Sequence, residues 1–313
     1  MKSFNHLFNF DAIGDVHGHA VKLIELLESM GYKDSDTGYQ HPTRKAIFLG
    51  DFIDRGESLC QHRKLLNIVM PMIDNGHALA VMGNHEFNAL AFHTMHQGEP
   101  LRPHTEKNIN QHRAFLNEYD NDPELKDQVL KFFYRLPMWL ELDGCRVVHA
   151  CWDDRHIATL KEKTTNNLLT EDLLIEASTK GTTTYYAVES ILKGAEVKLS
   201  EGITYWDATG HERGSARVQW WNSSARNLGE IVHPSGMDIG KDAQLPIPDF
   251  IPRYNSRKPC FIGHYWMTGE PEPLTDSVAC LDYSVAKSGG KLVSYRWDGE
   301  QTLKREKFTF KKS

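Results

Sequence analysis

Three short blocks near the start of the chain combine glycine with carboxylate, imidazole and amide side chains. They read GDVHG (residues 14–18), GDFIDRG (residues 50–56) and GNHE (residues 83–86). Carboxylate oxygens and imidazole nitrogens are ligands for divalent metal ions in proteins. Asp15 and His17 are two positions apart, and an extended chain directs such side chains to the same side. The three blocks together could therefore hold metal ions at one centre.

Two further histidines each follow a short apolar run later in the chain. His149 follows Val-Val, and His264 follows Phe-Ile-Gly. Taken singly, such a histidine is more often a hydrogen-bonded core residue, and a lone Asp-x-His is more often a capped turn. Three glycine-bracketed blocks followed by two strand-end histidines have no comparable structural explanation. The recurrence therefore favours one shared site.

The segments that precede these residues have the length and the flanking residues of buried strands. The predicted strands cover residues 7–13, 45–49, 78–82, 146–150, 260–263, 278–281 and 292–297. Helix-period apolar patterns separate the first three, which indicates βαβ units in an α/β fold whose sheet is completed by the C-terminal strands. Such sheets place their sites at the carboxyl ends of strands, where the blocks fall.

The middle of the chain lacks the strand-glycine-carboxylate pattern. It contains two polar helical stretches, near residues 170–180 and 184–193, and a Gly/Ser-rich tract at 210–229. We interpret residues 152–258, which are 107 positions, as an insertion or cap that shapes substrate specificity. The predicted catalytic domain then consists of residues 1–151 and 259–313.

Composition excludes several classes of protein. The 313 residues include 36 Lys and Arg against 42 Asp and Glu, and the net charge of −6 argues against a protein that wraps nucleic acid. No segment approaches the ~18 consecutive apolar residues of a membrane span. None of the five cysteines forms a C-x-x-C pair. We therefore expect a soluble protein of the reducing cytoplasm; its oligomeric state is unknown from sequence.

The three blocks, with His149 and Gly263-His264, resemble the calcineurin-like metallophosphoesterases. Within that family the resemblance is to the branch of Ser/Thr phosphoprotein phosphatases and symmetrical diadenosine tetraphosphatases. It covers residues 11–87 well and the two late histidines more loosely, and it does not extend over residues 152–258. The resemblance implies a four-layer α/β/β/α sandwich that binds two divalent metal ions. Mn²⁺ is the expected metal, with Fe, Zn²⁺ or Co²⁺ as alternatives for mixed oxygen and nitrogen ligands.

The resemblance also implies a set of metal ligands. These are Asp15, His17, Asp51, Asn84, His149 and His264. Asp51 would bridge the two metals, and His264 would join Asp15 and His17 at one of them, which leaves the remaining two ligands for the other. A water that bridges two such metals is deprotonated near neutral pH, so it would attack phosphorus as a hydroxide.

Neighbouring residues carry further implied roles. His85 would be the general acid that protonates the leaving oxygen, and Asp54 would orient its imidazole. Arg55 would bind the phosphate through a two-pronged contact that lysine cannot reproduce. No motif identifies a second phosphate-binding arginine. Arg213 and Arg217 are candidates, although exposed loop arginines are an equally good interpretation.

The catalytic motifs do not distinguish between substrate classes. We expect a phosphomonoesterase acting on Ser/Thr phosphoproteins, with an Ap4A-type dinucleoside tetraphosphate hydrolase as the alternative. A catalytically inactive scaffold is disfavoured, since every expected ligand is present. In the insertion, Trp206, Trp220 and Trp221 could stack a base or grip a peptide, but packing is the favoured interpretation. Of the remaining histidines, His93 and His96 are expected on a solvated helix face.

Overall fold

The computed structural model describes residues 9–55, 61–206 and 212–312. The strands are, in chain order, β1 (Phe10–Ile13), β2 (Lys45–Phe48), β3 (Ala78–Ala80), β4 (Met95–His96), β5 (Glu99–Pro100), β6 (Trp139–Glu141), β7 (Arg146–Val148), β8 (Glu196–Lys198), β9 (Tyr205–Trp206), β10 (Glu212–Arg213), β11 (Ser215–Val218), β12 (Val232–His233), β13 (Cys260–Ile262), β14 (Val278–Cys280), β15 (Asp282–Tyr283), β16 (Lys291–Trp297) and β17 (Phe308–Lys312). The helices are α1 (Ala20–Ser29), α2 (His62–Asp74), α3 (Asn84–His93), α4 (Glu106–Tyr119), α5 (Pro123–Tyr134), α6 (Asp154–Lys161), α7 (Glu171–Ser178), α8 (Thr183–Lys193) and α9 (Leu228–Ile231), with short 3-10 helices at Gly240–Gln244 and Arg305–Lys307.

Two sheets form the centre of the molecule. The first has the order β15-β16-β1-β2-β3, with β17 beside β16, and β1, β2 and β3 run parallel. The second has the order β14-β13-β7-β6, in which β13 is parallel to both β7 and β14. Buried apolar side chains from both sheets form one cluster, in which the rings of Phe10 and Phe261 meet edge to face at 5.6 Å. The two sheets are therefore packed face to face.

Helices cover the outer faces of this sandwich. Helices α1 and α2 contact each other and also contact β16 and β3 of the first sheet. On the other side, the Ala150 N–H after β7 donates to the Ile191 carbonyl of α8, and Ile157 of α6 lies with both residues in a second buried apolar cluster. The α/β/β/α sandwich expected from the sequence is thus confirmed.

The strand predictions agree closely with the structure. The predicted strands at 45–49, 146–150 and 292–297 correspond to β2, β7 and β16, and residues 7 and 8 of the first predicted strand lie outside the described residues. The C-terminal strands do not complete a single sheet, however. Strand β16 joins the first sheet, whereas β13 and β14 join the second. Which sheet a strand joins depends on long-range packing, which a local apolar run does not specify.

Residues 152–258 contain more than the two predicted helices. The predicted stretches become α7 and α8, and a three-stranded antiparallel sheet of order β12-β11-β8 follows them. These strands are only two to four residues long, so they carry little alternation for a sequence reader to detect. The division of the chain at 151/152 and 258/259 stays a prediction.

No helix in the described ranges combines the length and the apolar character needed to cross a membrane. Cys145, Cys151, Cys260 and Cys280 are buried free thiols. Cys60 lies outside the described residues.

A buried ion cluster ties the first sheet together at Asp11 of β1. Asp11 is fully buried and accepts hydrogen bonds from the Tyr32 hydroxyl at 3.0 Å and the Arg44 Nε at 3.1 Å. Arg296 of β16 contributes a further ion pair at 3.3 Å. Burial raises the pKa of Asp11, although both arginines oppose this effect.

Replacing Asp11 with Ala should lower the free energy of unfolding by about 3–5 kcal/mol, because the mostly buried Arg44 would lose its fully buried carboxylate partner and keep only the more exposed Asp298. Chemical denaturation of the purified protein measures this change. Lys131→Ala is the matched control, since its pair with Asp127 is solvent-exposed and should contribute less than about 1 kcal/mol. Equal unfolding midpoints for the two variants would contradict the expectation.

Candidate metal centre and active site

The candidate ligands meet where the strands of both sheets end. Each follows the carboxyl end of a strand: Asp15 and His17 follow β1, Asp51 follows β2, Asn84 follows β3, His149 follows β7, and His264 follows β13. All six are buried, and each residue exposes at most 8% of its surface. The carboxyl edges of the two sheets therefore converge on one enclosed site.

The glycines in the motifs are required by close contact between these loops. A Cβ atom on Gly83 would lie 2.2 Å from Oδ1 of Asp51, and a Cβ on Gly263 would lie 2.0 Å from Oδ1 of Asp15. Carbon atoms never approach oxygen that closely without displacement. Each glycine thus leaves space for a carboxylate that arrives from a different strand.

Several site residues have left-handed backbone conformations, which residues other than glycine rarely adopt. The φ angles are 44° at His17, 52° at Asp51 and 69° at His264. The surrounding hydrogen bonds hold these conformations, since the His17 N–H donates to the Asp51 carbonyl at 2.9 Å. Backbone strain of this kind concentrates at functional sites.

Asp51 belongs to two groups of metal-ligating side chains. One group contains Asp51, His17 and His85, and the other contains Asp51, His149 and His264; the ligating atoms within each group lie within 4.8 Å of one another. Oδ2 of Asp51 is 3.8 Å from Nε2 of His17 and 3.4 Å from Nε2 of His149. A carboxylate shared in this way has the position required of a bridging ligand.

The histidine rings direct their Nε2 atoms toward this centre. The Nδ1–H of His17 donates to the Ile53 carbonyl at 2.9 Å, and the Nδ1–H of His149 donates to the Leu49 carbonyl at 2.6 Å, so Nε2 of each ring faces inward. Nε2 of His264 is buried without a hydrogen-bond partner among the described residues. A buried polar atom without a partner requires one, and a metal ion would supply it. The residues therefore fit a divalent metal centre.

The charges of the buried carboxylates also fit a divalent metal centre. Burial, with Asp282 nearby, raises the pKa of Asp15. Burial alone would also raise the pKa of Asp51, but His149 and His85 hold it below its usual range. Three carboxylates in one buried region repel one another, and divalent cations are the ordinary compensation.

The structure groups His264 differently from the sequence expectation. The backbone N–H of His264 does contact Oδ2 of Asp15 at 3.2 Å. Its ring, however, lies 5.2 Å from the ring of His149, in the group that includes Asp51. Oδ1 of Asn84 is 3.2 Å from Nε2 of His149. His264 therefore fits beside His149 and Asn84 rather than beside His17, because a left-handed turn separates the direction of its ring from that of its backbone N–H.

His85 is arranged for proton transfer rather than for metal binding alone. Its backbone N–H donates to Oδ1 of Asp51 at 2.9 Å, which anchors the residue next to the centre. Its Nδ1–H donates to Oδ2 of Asp54 at 2.8 Å. Nε2 then faces the cleft and accepts from Nε of Arg55 at 3.3 Å. This geometry corresponds to a carboxylate-oriented imidazole whose outer nitrogen can carry a proton to a leaving group.

Arg55 is positioned by two residues that sequence reasoning missed. Its guanidinium carbon lies 3.8 Å from the centre of the Trp266 ring. The backbone N–H of Trp266 donates to Oδ2 of the buried Asp282 at 3.0 Å. Asp282 directly follows the predicted strand at 278–281 and was thus detectable as a strand-end carboxylate, but no glycine precedes it.

Glu86 fastens two of the motif loops together. Its carboxylate accepts from the backbone N–H groups of Asp51 at 2.8 Å, Phe52 at 2.8 Å and Gly83 at 2.9 Å. The Glu86 carboxylate thus links the loops after β2 and β3 through their backbone N–H groups. Its contribution is to hold Asp51 at the start of the second motif.

Comparison with known proteins tests the resemblance to this family. Residues 8–139 match the family model described as calcineurin-like phosphoesterase. The matched segment contains all three glycine-bracketed blocks, so the chain is similar to the calcineurin-like phosphoesterases over this part. This match confirms the resemblance drawn from the motifs, and with the phosphatase and hydrolase relatives described next it supports a metal-dependent phosphoesterase.

Two curated relatives of this phosphoesterase are named asymmetrical bis(5'-nucleosyl)-tetraphosphatase PrpE. The protein of Oceanobacillus iheyensis is 29% identical over 175 residues, which are 55% of this chain and 67% of the relative. The protein of Halalkalibacterium halodurans is 38% identical over 77 residues, which are 24% of this chain and 30% of the relative. A solved protein serine/threonine phosphatase from Saccharomyces cerevisiae, with similarity to human phosphatase PP5, aligns at a TM-score of 0.50 and 14% identity over 99% of this chain and 81% of its own. That likeness shows the shared fold.

A cleft of about 2670 Å³ opens from the centre of the phosphoesterase. Both candidate arginines line it. Arg217 lies on β11, where Ala216 and Val218 are buried and the alternate positions are half-buried, so Arg217 faces the cleft. Burial and then the Arg217 charge lower the pKa of His264, which places this guanidinium near the centre. Arg213 lies on β10 and is exposed.

Arg102 is a cationic lining residue that the sequence analysis did not select. Its guanidinium donates to Oδ1 of Asn88 at 3.1 Å and to Oε1 of Gln111 at 2.7 Å, and it lines the cleft next to His85. No motif surrounds it, since its partners come from α3 and α4.

The three candidate tryptophans separate into two kinds. Trp220 and Trp221 are buried and pack against each other edge to face, as the packing interpretation predicts. Trp206 is 71% exposed and lines the cleft. Trp221 also borders the cleft but is only 5% exposed, so Trp206 offers the larger surface for stacking on a bound group. His211, close to Trp206 in sequence, lies outside the described residues.

Two substitutions should separate metal binding from proton transfer. Asp51→Asn should lose bound metal because both ligand groups contain this carboxylate. His85→Asn should keep its metal and lose about 10²- to 10⁴-fold in kcat, the usual contribution of a general acid. Metal analysis of the purified variants, together with steady-state kinetics, measures both effects. Full metal content in Asp51→Asn would show that this carboxylate does not bridge.

Proposed function

We propose that this phosphoesterase hydrolyses a dinucleoside polyphosphate at a centre of two divalent metal ions. The observation that carries the chemistry is the position of Asp51 in both ligand groups, with His85 anchored to the same carboxylate. Mn²⁺ is the proposed metal, because the donors are a mixture of carboxylate oxygen, amide oxygen and imidazole nitrogen.

The roles of the protein groups follow from their contacts. When bound, divalent ions polarise the phosphoryl oxygens and lower the pKa of a water. Arg55, held against the Trp266 ring, binds a phosphoryl oxygen by charge-assisted hydrogen bonds. When Arg55 binds the phosphoryl group instead of His85, a His85 imidazolium carries a proton on Nε2 and passes it to the leaving oxygen, while Asp54 accepts from the Nδ1–H and stabilises the imidazolium. The reaction needs no covalent phosphoenzyme.

The cleft supports a large anionic substrate. Its volume of about 2670 Å³ exceeds the ~300–1,000 Å³ of ordinary small-molecule pockets, so it could admit two nucleosides and a polyphosphate. Arg102 and Arg217 line it, and the exposed Trp206 offers a stacking surface for a base. The names of the curated relatives also favour a nucleotide. The nucleotide substrate, the second choice from sequence, therefore becomes the first.

A phosphoprotein is the second candidate substrate. The observation that favours it is a pair of exposed aromatic residues that line the cleft, Tyr186 at 57% and Phe250 at 60% exposure. Exposed aromatic side chains bind peptides as readily as they bind bases.

Substrate competition should decide between the two candidates. We expect kcat/KM on diadenosine tetraphosphate to exceed that on a panel of Ser/Thr phosphopeptides by at least about tenfold, a difference of about 1.4 kcal/mol in transition-state binding. Product analysis adds a second measurement, since asymmetrical cleavage yields ATP and AMP whereas symmetrical cleavage yields ADP alone. A preference for phosphopeptides would reverse the order, and activity that persists in His85→Asn would reveal a contaminating enzyme.

Arg217 should contribute to binding of the polyphosphate. Arg217→Gln should raise KM for diadenosine tetraphosphate by about 10- to 100-fold, because a hydrogen bond to a charged group contributes about 1.5–3 kcal/mol. Arg226→Gln is the control, since Arg226 is exposed and does not line the cleft. An unchanged KM in Arg217→Gln would remove this residue from the substrate site.

The cellular compartment belongs to the same proposal. The four described cysteines are free thiols, which supports a reducing compartment such as the cytoplasm.

A further inference from the structure

Asp54, the partner of the proposed acid, lies between two histidines. Oδ2 accepts from the Nδ1–H of His85 at 2.8 Å, and Oδ1 accepts from the Nδ1–H of His112 at 3.0 Å. The Asp54 N–H donates to Nε2 of His62 at 2.9 Å. Asp54 also has a left-handed φ of 62°, so contacts from α2, α3 and α4 hold a conformation that the residue itself disfavours.

His112 is built into the core rather than exposed on its helix. It is 4% exposed, and its ring stacks on Phe115 at 4.7 Å and 15°. Its Nε2 lies 3.2 Å from Nε2 of His93 on α3. The expected solvated helix face for His93 is therefore wrong, because α4 packs over it.

The proton positions in this chain follow from its chemistry. Burial lowers the pKa of His93 to about 4, so His93 is neutral at pH 7. A neutral His93 can donate its Nε2–H to Nε2 of His112, which leaves the Nδ1–H of His112 directed at Asp54. Both carboxylate oxygens of Asp54 are then occupied by imidazole donors, as a buried carboxylate requires.

We propose that His112 is a positioning residue for catalysis: by holding Oδ1 of Asp54, it fixes the carboxylate so that Oδ2 orients the acid His85 with Nε2 in the cleft. This inference rests on the proposed function, in which His85 protonates the leaving group. Without His112, the Asp54 carboxylate would be able to rotate about χ2 and would lose its alignment with the His85 ring.

Two substitutions at one position isolate the donor. His112→Phe keeps an aromatic ring against Phe115 but removes the Nδ1–H, whereas His112→Asn restores an N–H near the same place. His112→Phe should lower kcat on phenyl phosphate by about tenfold or more, a part of the general-acid contribution, with KM and metal content unchanged. His112→Asn should recover most of that loss. His41→Phe is the control, since His41 contacts Thr43 and Tyr32.

The leaving group provides a measurement that a purely structural role would not affect. p-Nitrophenolate departs without protonation, so His112→Phe should lose much less activity on p-nitrophenyl phosphate than on phenyl phosphate. In a His85→Asn background, His112→Phe should have no further effect, because the residue acts through His85. Equal losses on both esters, or additive losses in the double variant, would overturn the proposal.

Wild-type controls distinguish this inference from the proposed function. If the wild-type protein hydrolyses neither ester nor diadenosine tetraphosphate, the proposed function fails. If the wild-type protein is active and His85→Asn loses kcat while His112→Phe does not, only the role of His112 fails. Should His112→Phe not fold, His112→Leu undergoes the same comparison of the two esters.

Discussion

The structure depends on the burial of one shared carboxylate. Asp51 lies in a protein interior with Asp15 and Asp282, and three acids cannot remain buried there without compensating charge and hydrogen bonds. His17 and His149 direct Nε2 toward Asp51, and the His85 backbone donates to it. The demand for positive charge at this point suits a metal centre, and the proposed catalytic group His85 takes its position from the same carboxylate.

The arrangement of strands in the two sheets makes this convergence possible. Parallel strands in both sheets direct their carboxyl ends to one edge, and glycines at those ends allow loops from different strands to touch. Glu86 then binds three backbone N–H groups of the first-sheet loops. Rigid strand ends with tightly joined loops hold ligands more accurately than long flexible loops do.

Residues 152–258 contribute both to the packing of the second sheet and to the lining of the cleft. Helix α8 covers the second sheet through the contact of Ile191 with Ala150, and the small sheet around β11 turns Arg217 toward the cleft. The same segment therefore contributes to the core and lines the substrate cleft. The three glycine-bracketed blocks, by contrast, all lie before residue 152.

The sequence alone determined most strands of the two central sheets, the motif glycines and the residues proposed to build the metal centre, because strand length, apolar pattern and turn chemistry are local properties of the chain. Tertiary structure decided what local patterns do not carry: that the ring of His264 joins His149, that Asp282 supports Trp266 beneath Arg55, and that His112 reaches Asp54. His112 lies 58 residues from Asp54, and nothing in its own segment distinguishes it from a helix-surface histidine. Such contacts form only when separate helices pack together, so their chemistry becomes visible only in the folded protein.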